Sequence, residues 1–256
     1  MVRLGQNFLT DPNLLDAIVR SAGVEPGDVI LEVGGGEGAL TERLASRAGQ
    51  VWTIELDRKL EADLERVAAT AANVELVWGD AMRVDLAGLD PAPTRVVANL
   101  PYSIATPLIL RTISELPSVG SWTVLVQREI ADRLRAAPGS RTYGGPSVIA
   151  QLACDVELLR PVGRAVFKPR PRVDSALLGL RRHGPAASDD LARLVRAAFA
   201  HRRKTLAGSV ELAGGPRRPQ VRAALAAAGL PSDVRAEALQ PAEFVRLAAA
   251  LESGEG

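Results

Sequence analysis

Four consecutive residues, Asn99-Leu100-Pro101-Tyr102, bring together an amide, a rigid proline and an aromatic ring. That set suits an exocyclic amino group on a flat heterocycle: amide and backbone oxygens accept its hydrogens, and the ring stacks on the base face. Asn-x-Pro is also ordinary turn chemistry, so the tetrapeptide by itself leaves turn and site equally open. Its surroundings say more. It follows a β-branched run, Arg95 to Ala98, that reads as a buried strand. It therefore occupies a loop at a strand's C-terminal end, where open α/β sheets place their ligands.

A second set of residues lies upstream. Val29 to Val33, interrupted only by Glu32, flows into Gly34-Gly35-Gly36-Glu37-Gly38-Ala39-Leu40-Thr41. Strand, glycine loop and helix follow in order, and the glycines let a ligand approach the backbone at the helix N-terminus. The next strand, Val51 to Ile54, ends in Glu55, where a carboxylate can accept both hydroxyls of a ribose. A third, Val74 to Trp78, closes in Gly79-Asp80-Ala81-Met82, which offers a carboxylate to an adenine amino group and apolar neighbours to its faces. Three strand ends thus converge on one adenosine. Nicotinamide dinucleotides and S-adenosylmethionine (AdoMet) both use this geometry, and Gly34, Gly36 and Ala39 fit only the looser G-x-G-x-x-A form of the dinucleotide fingerprint. A dehydrogenase acting on a hydroxy acid wants a proton-transfer residue, yet the only histidines, His183 and His201, fall in basic C-terminal segments outside these strands. A dehydrogenase is disfavoured.

The elements that must carry these loops alternate strand and helix. Further strands are expected at Trp122 to Gln127, Val156 to Leu159 and Ser175 to Leu180, and helices at Asp57 to Ala69, Pro107 to Glu115 and Arg128 to Arg135. Trp52, Trp78 and Trp122 fall in strands, so core packing is expected of them. Arg182 to Ala187 reads as a linker, after which Ser188 caps a helix with Leu191, Leu194, Val195, Ala198 and Phe199 on one face. Two more helices are expected around Gln220 to Ala228 and Ala242 to Leu251. The expected architecture is α/β: a Rossmann-like domain over residues 1–182 and a smaller helical C-terminal domain over 183–256, within the size range of such domains.

Composition narrows the class. No apolar segment approaches the length of a membrane span and the N-terminus has no signal-peptide pattern, so a cytoplasmic protein is expected. Cys154 is the single cysteine, which excludes an internal disulfide and a cysteine metal site; it is expected to be buried, and no metal is expected. The formal net charge of +1 hides a division. Residues 1–159 hold 14 Lys/Arg against 21 Asp/Glu, a net of −7, and residues 160–256 hold 17 against 9, a net of +8. Positive charge at Arg160, Arg164, Lys168, Arg170, Arg172, Arg181, Arg182, Arg202, Arg203 and Lys204 is expected to face phosphates. The alternative is a solvated arginine-rich surface.

Several separate motifs now stand in order from Gly5 to about Leu206. They are Gly5-Gln6-Asn7-Phe8-Leu9, Glu32 to Thr41, Ile54-Glu55-Leu56-Asp57, Gly79 to Met82, Asn99 to Tyr102, Tyr143-Gly144 with Ser147-Val148, Phe167 to Leu177, and Arg202-Arg203-Lys204-Thr205-Leu206. The chain resembles the ribosomal RNA adenine N6-dimethyltransferase family. The resemblance implies successive methyl transfers from AdoMet to N6 of two adjacent adenosines near the 3′ end of small-subunit (16S) rRNA in an assembling ribosomal particle, by a protein expected to be a monomer. It implies that Asn7, Leu9, Gly34, Gly36, Glu55, Asp80, Ala81 and Asn99 surround AdoMet, with Gln6, Asn7 and Leu9 as a lid. Asn99 and the Leu100 carbonyl would then accept the hydrogens of the target amine. Tyr102 and Phe167 would stack on the two faces of the base, Phe167 reading otherwise as an aromatic plug. Arg164, Lys168, Arg170, Arg172, Arg202, Arg203 and Lys204 would meet RNA. Related enzymes that modify large-subunit rRNA share much of the pattern, and a noncatalytic assembly factor retaining the fold is the contrasting reading. Two departures stand out: only four residues precede Gly5, and Gly35 occupies a position where many relatives carry proline, which should leave the loop possible but less rigid.

Overall fold

The computed structural model describes residues 7–253, so Gly5 and Gln6 of the N-terminal motif lie outside the described residues. In chain order the first elements are β1 (Phe8–Leu9), α1 (Pro12–Ala22), β2 (Val29–Val33), α2 (Ala39–Ala45), β3 (Gln50–Glu55), a 3-10 turn (Arg58–Leu60) entering α3 (Glu61–Thr70), and β4 (Val74–Trp78). Then come β5 (Arg95–Asn99), α4 (Ala105–Glu115), β6 (Ser121–Gln127), α5 (Arg128–Leu134), α6 (Gly145–Ala153), β7 (Cys154–Val162), β8 (Phe167–Lys168) and β9 (Ser175–Arg182). Four α-helices follow among the described residues: α7 (Asp189–Ala200), α8 (Leu206–Leu212), α9 (Arg218–Ala227) and α10 (Pro241–Ser253).

Local chemistry explains the element ends. The Asp11 side chain accepts from the Leu14 N–H with Pro12 at the first helical position, and Gly23 in the left-handed region (φ 57°) stops α1. Ser188 caps α7 by accepting from the Leu191 N–H. Val29–Val33 and Arg95–Asn99 are nearly continuous apolar runs because central strands of a parallel sheet are covered on both faces.

Seven strands form one sheet in the order β4-β3-β2-β5-β6-β9-β7. Neighbours from β4 to β6 run parallel, and β9 lies antiparallel to β6, with Gln127 opposite Ser175. Strand order reverses between β2 and β5, which opens a crevice beyond their C-terminal ends. One face of the sheet is covered by Leu14, Leu15, Ile18 and Val19 of α1, clustered with Ile30, Val51 and Val97. Of the three tryptophans only Trp122 is fully buried. Trp52 and Trp78 are half-buried, Trp78 because β4 is the edge strand, where Arg58 lies over its ring, and Trp52 with its Nε1 donating to the Pro91 carbonyl.

By contacts the chain divides into two compact units, residues up to Ala131 with 155–182, and 132–154 with His183 onward. The sequence suggested one cut after Arg182. The structure also moves 132–154 into the helical unit, because Tyr143 and Val148 are buried there with Leu194, Val195, Leu206, Val221, Leu225 and Phe244. Tyr143 donates from its hydroxyl to the Leu239 carbonyl (2.8 Å) and meets the Phe199 ring edge-on. Counted by unit, the first has 18 Lys/Arg against 21 Asp/Glu and the second 13 against 9, so the charge contrast is milder than between the two stretches of sequence.

Candidate active site

β2 and β5 end side by side, and glycine is required where they meet. Gly34 has φ +81°, and a Cβ there would stand 3.4 Å from Pro101 Cδ and 3.6 Å from the Asn99 carbonyl oxygen. Gly36 (φ +58°) lies under the Phe8 ring, 3.3 Å from where its Cβ would be. The N-terminal segment is held there by pairing of β1 with β8, Leu9 opposite Phe167 and Phe8 opposite Lys168. Asn7 immediately precedes β1 and Leu9 is its second residue. One cavity is lined by Asn7, Phe8 and Leu9, by Glu32 and the loop Gly34 to Glu37, by Glu55, and by Asn99 to Tyr102.

Glu55 is buried at the end of β3, and its carboxylate organises two loops. Oε1 accepts from the N–H groups of Leu56 (2.8 Å) and Asp57 (2.9 Å), and Oε2 accepts from the Gly36 N–H (3.0 Å). A carboxylate has about four acceptor positions, so Oε2 retains capacity for a further donor. Glu32 also lines the cavity, a residue to which sequence reasoning assigned no role. It is 1% exposed and accepts on Oε2 from the hydroxyls of Thr41 (2.6 Å) and Thr53 (2.9 Å). Burial pushes its pKa up to about 8, against the two threonine bonds and with a further rise from Glu55. A carboxylate inside an apolar strand immediately before a glycine loop was the sign that could have found it.

Asn99 donates from Nδ2 to the Asn7 carbonyl (3.2 Å), which orients the amide and directs its oxygen to other donors. Leu100 is buried, its N–H bonded to the Leu125 carbonyl (3.1 Å). The Tyr102 hydroxyl lies 2.7 Å from the Ser175 hydroxyl; burial raises its pKa and the Ser175 bond lowers it. Phe167 does not line the cavity. Its ring is 4% exposed within the apolar cluster of Leu9, Val162 and Leu177, so this conformation offers it as the plug and not as a stacking face. Asp80 and Ala81 also lie outside this cavity, just beyond β4. Asp80 accepts from the Met82 N–H (2.9 Å), and Arg111 of α4 fastens their loop by donating to the carbonyls of Ala81 and Val84.

The basic residues separate into two kinds. Lys168, Arg170, Arg172, Arg203 and Lys204 are exposed. Arg164 pairs with Asp174 (3.2 Å) and donates to the Arg172 carbonyl, and Arg202 bonds the Arg141 carbonyl and Glu237. Arg181 pairs with Asp155. Arg182 corrects the expectation that it faces phosphates: its guanidinium lies over Trp122 and donates to the carbonyls of Ile113, Leu116 and Val119. Among the described residues no group of three His, Cys, Asp or Glu is placed to hold a metal, and no helix is long and apolar enough to cross a membrane.

The family model described as ribosomal RNA adenine dimethylase matches residues 2–253. A ribosomal RNA small subunit methyltransferase A of Rubrobacter xylanophilus is 43% identical over 96% of this chain and 92% of its own length. One of Rhodococcus opacus is 44% identical over 96% of this chain and 87% of its own. Among solved structures, a dimethyladenosine transferase from Plasmodium falciparum superposes with a TM-score of 0.83 at 26% identity, covering 97% of this chain and 98% of that one. The 23S rRNA methyltransferase ErmE superposes with a TM-score of 0.67 at 29% identity, covering 96% and 100%. With its motifs in order, its strand ends meeting at one crevice and a match of this extent, the chain belongs to the ribosomal RNA adenine dimethylase family.

Proposed function

We propose that the chain transfers methyl groups from AdoMet to N6 of two adjacent adenosines near the 3′ end of small-subunit rRNA, acting as a cytoplasmic monomer on an assembling ribosomal particle. The observation that carries this reading is Asn99, tied to the Asn7 carbonyl and sharing one cavity with the glycine loop and Glu55. The cavity's groups fit AdoMet: Gly34 and Gly36 keep side chains out of the loop, and Glu55 retains acceptor capacity for ribose hydroxyls. Asp80 accepts the adenine amino group, Ala81 flanks the ring, and Asn7 and Leu9 cover the methionine end.

AdoMet carries its methyl on a sulfonium, an activated leaving group, so positioning of the attacking lone pair is the principal demand. The lone pair of adenine N6 is delocalised into the ring. The Asn99 side-chain oxygen and the Leu100 carbonyl accept the two N6 hydrogens, which favours a pyramidal, more nucleophilic nitrogen. Tyr102 stacks on the target base after it leaves its RNA stack. Phe167 serves as the wall behind Leu9. No strong base is needed, since the transient ammonium loses its proton readily to water. Lys168, Arg170, Arg172, Arg203 and Lys204 meet phosphates, joined by Arg164 and Arg202 once RNA displaces their carboxylate partners, so binding weakens with salt.

A large-subunit target is the second reading, favoured by the likeness to ErmE. Incubating unmethylated small-subunit particles with labelled AdoMet and digesting the RNA to nucleosides tests the chemistry. N6,N6-dimethyladenosine is expected. Particles bound without any labelled nucleoside would leave a noncatalytic assembly factor in its place.

A further inference from the structure

Ser175 is the first residue of β9, followed by Ala176, Leu177 and Leu178, and is 1% exposed. A hydroxyl so placed costs free energy unless it is hydrogen-bonded. Its side-chain partner is the Tyr102 hydroxyl at 2.7 Å. The Tyr102 ring is only half-buried, so that bond fixes the end of the ring farthest from the backbone. The Ser175 end is rigid. Gln127 pairs opposite it in the sheet, and the preceding Asp174 carbonyl accepts from the Arg128 N–H (3.0 Å). Pro101 restricts the backbone immediately before Tyr102. A strand end is thus the fixed post to which an otherwise half-exposed aromatic ring is tied.

We infer that Ser175 is a positioning residue, whose hydroxyl holds the Tyr102 ring in the orientation on which the target adenine stacks. This rests on the reading of Tyr102 as the stacking residue. Without the tie the ring samples other rotamers, and each turnover must first recover the stacking one. The loss expected from one neutral hydrogen bond is about three- to tenfold in the transfer rate.

The test is a cycle in the full chain: Ser175→Ala, Tyr102→Phe and both together, with Tyr102→Ala and Ser175→Thr alongside. Single-turnover transfer to unmethylated small-subunit particles is read with AdoMet affinity and thermal unfolding. Ser175→Ala and Tyr102→Phe should each slow transfer about three- to tenfold at unchanged AdoMet affinity, the double variant should be no slower than the slower single, and Ser175→Thr should restore most of the rate. Tyr102→Phe removes the same bond from the other side, so its rate still decides if a Ser175 variant folds poorly. Wild-type rates for Ser175→Ala and Tyr102→Phe beside an inactive Tyr102→Ala would overturn the positioning role and leave the stacking role standing. Losses that add in the double variant would overturn it too. A wild-type rate for Tyr102→Ala would overturn the stacking role itself.

Discussion

Glu55 is where the proposed cofactor site is most sharply exposed to test. Three backbone N–H groups, those of Gly36, Leu56 and Asp57, end on its carboxylate, and the ribose is proposed to add its own donors. Hydrogen bonds to a charged group contribute about 1.5–3 kcal/mol each, less where water replaces the lost partner. Glu55→Ala should therefore weaken AdoMet binding by about 1–3 kcal/mol, roughly 5- to 150-fold, and lower the stability of the chain by a similar amount. Glu55→Gln separates the two effects. Its amide oxygen can replace Oε1 beneath the Leu56 and Asp57 N–H groups, whereas its NH2 would face the Gly36 N–H, donor against donor. That variant should lose less stability than Glu55→Ala yet bind AdoMet nearly as poorly. Calorimetric titration of AdoMet beside thermal unfolding reads both quantities. Unchanged AdoMet affinity in both variants, or tight binding of NAD by the wild type, would refute the assignment.

Asn99→Ala should abolish transfer while keeping AdoMet affinity within about tenfold, because its principal partner is the target amine; single-turnover transfer beside calorimetry checks the split. Glu32 has a pKa near 8 in the fold against 4.5 in the free side chain, so between those pH values the folded chain holds a proton that the unfolded chain has lost. Its contribution is therefore fully present below pH 4.5 and lost as pH rises to about 8, so the Tm of Glu32→Gln minus that of wild type should grow across this window and level off above it; a constant difference contradicts the reasoning. A Cβ at position 35 would lie 2.4 Å from Thr53 Cγ2 and 2.9 Å from Leu64 Cδ2. Gly35→Pro alone should thus cost about 1–3 kcal/mol of stability, partly recovered with Thr53→Ser, which keeps the hydroxyl bonded to Glu32; a Tm raised by Gly35→Pro alone would show that chain stiffening outweighs the clash.

The strands were legible where the sheet is parallel: Val29–Val33, central and buried, and Val74–Trp78, at the edge, have the bounds their apolar runs suggest. The cap at Ser188 was legible because its chemistry is local. β1 and β8 were not, since two-residue strands carry no periodicity and their partners stand about 160 residues apart in sequence. The transfer of 132–154 to the helical unit was hidden for the same reason, because Tyr143 finds its partners, Leu239 and Phe199, far along the chain. At the site, Asn99, Glu55 and the glycines were readable from their positions at strand ends. Glu32 and Ser175 were present in quoted motifs without a role, because what they do depends on hydroxyl and carboxylate partners brought together only by the sheet. Gly35 read as a looser loop, whereas the space its side chain would need is filled by Thr53 and Leu64.

One crevice is proposed to present AdoMet to a specific pair of adenosines. Both ribosomal subunits, stripped of the modification, can be incubated separately with the wild-type chain and labelled AdoMet and the label mapped along each RNA. Label is expected on two adjacent adenosines near the 3′ end of small-subunit rRNA, absent when Asn99→Ala replaces the wild type. Label confined to an adenosine of large-subunit RNA would contradict it.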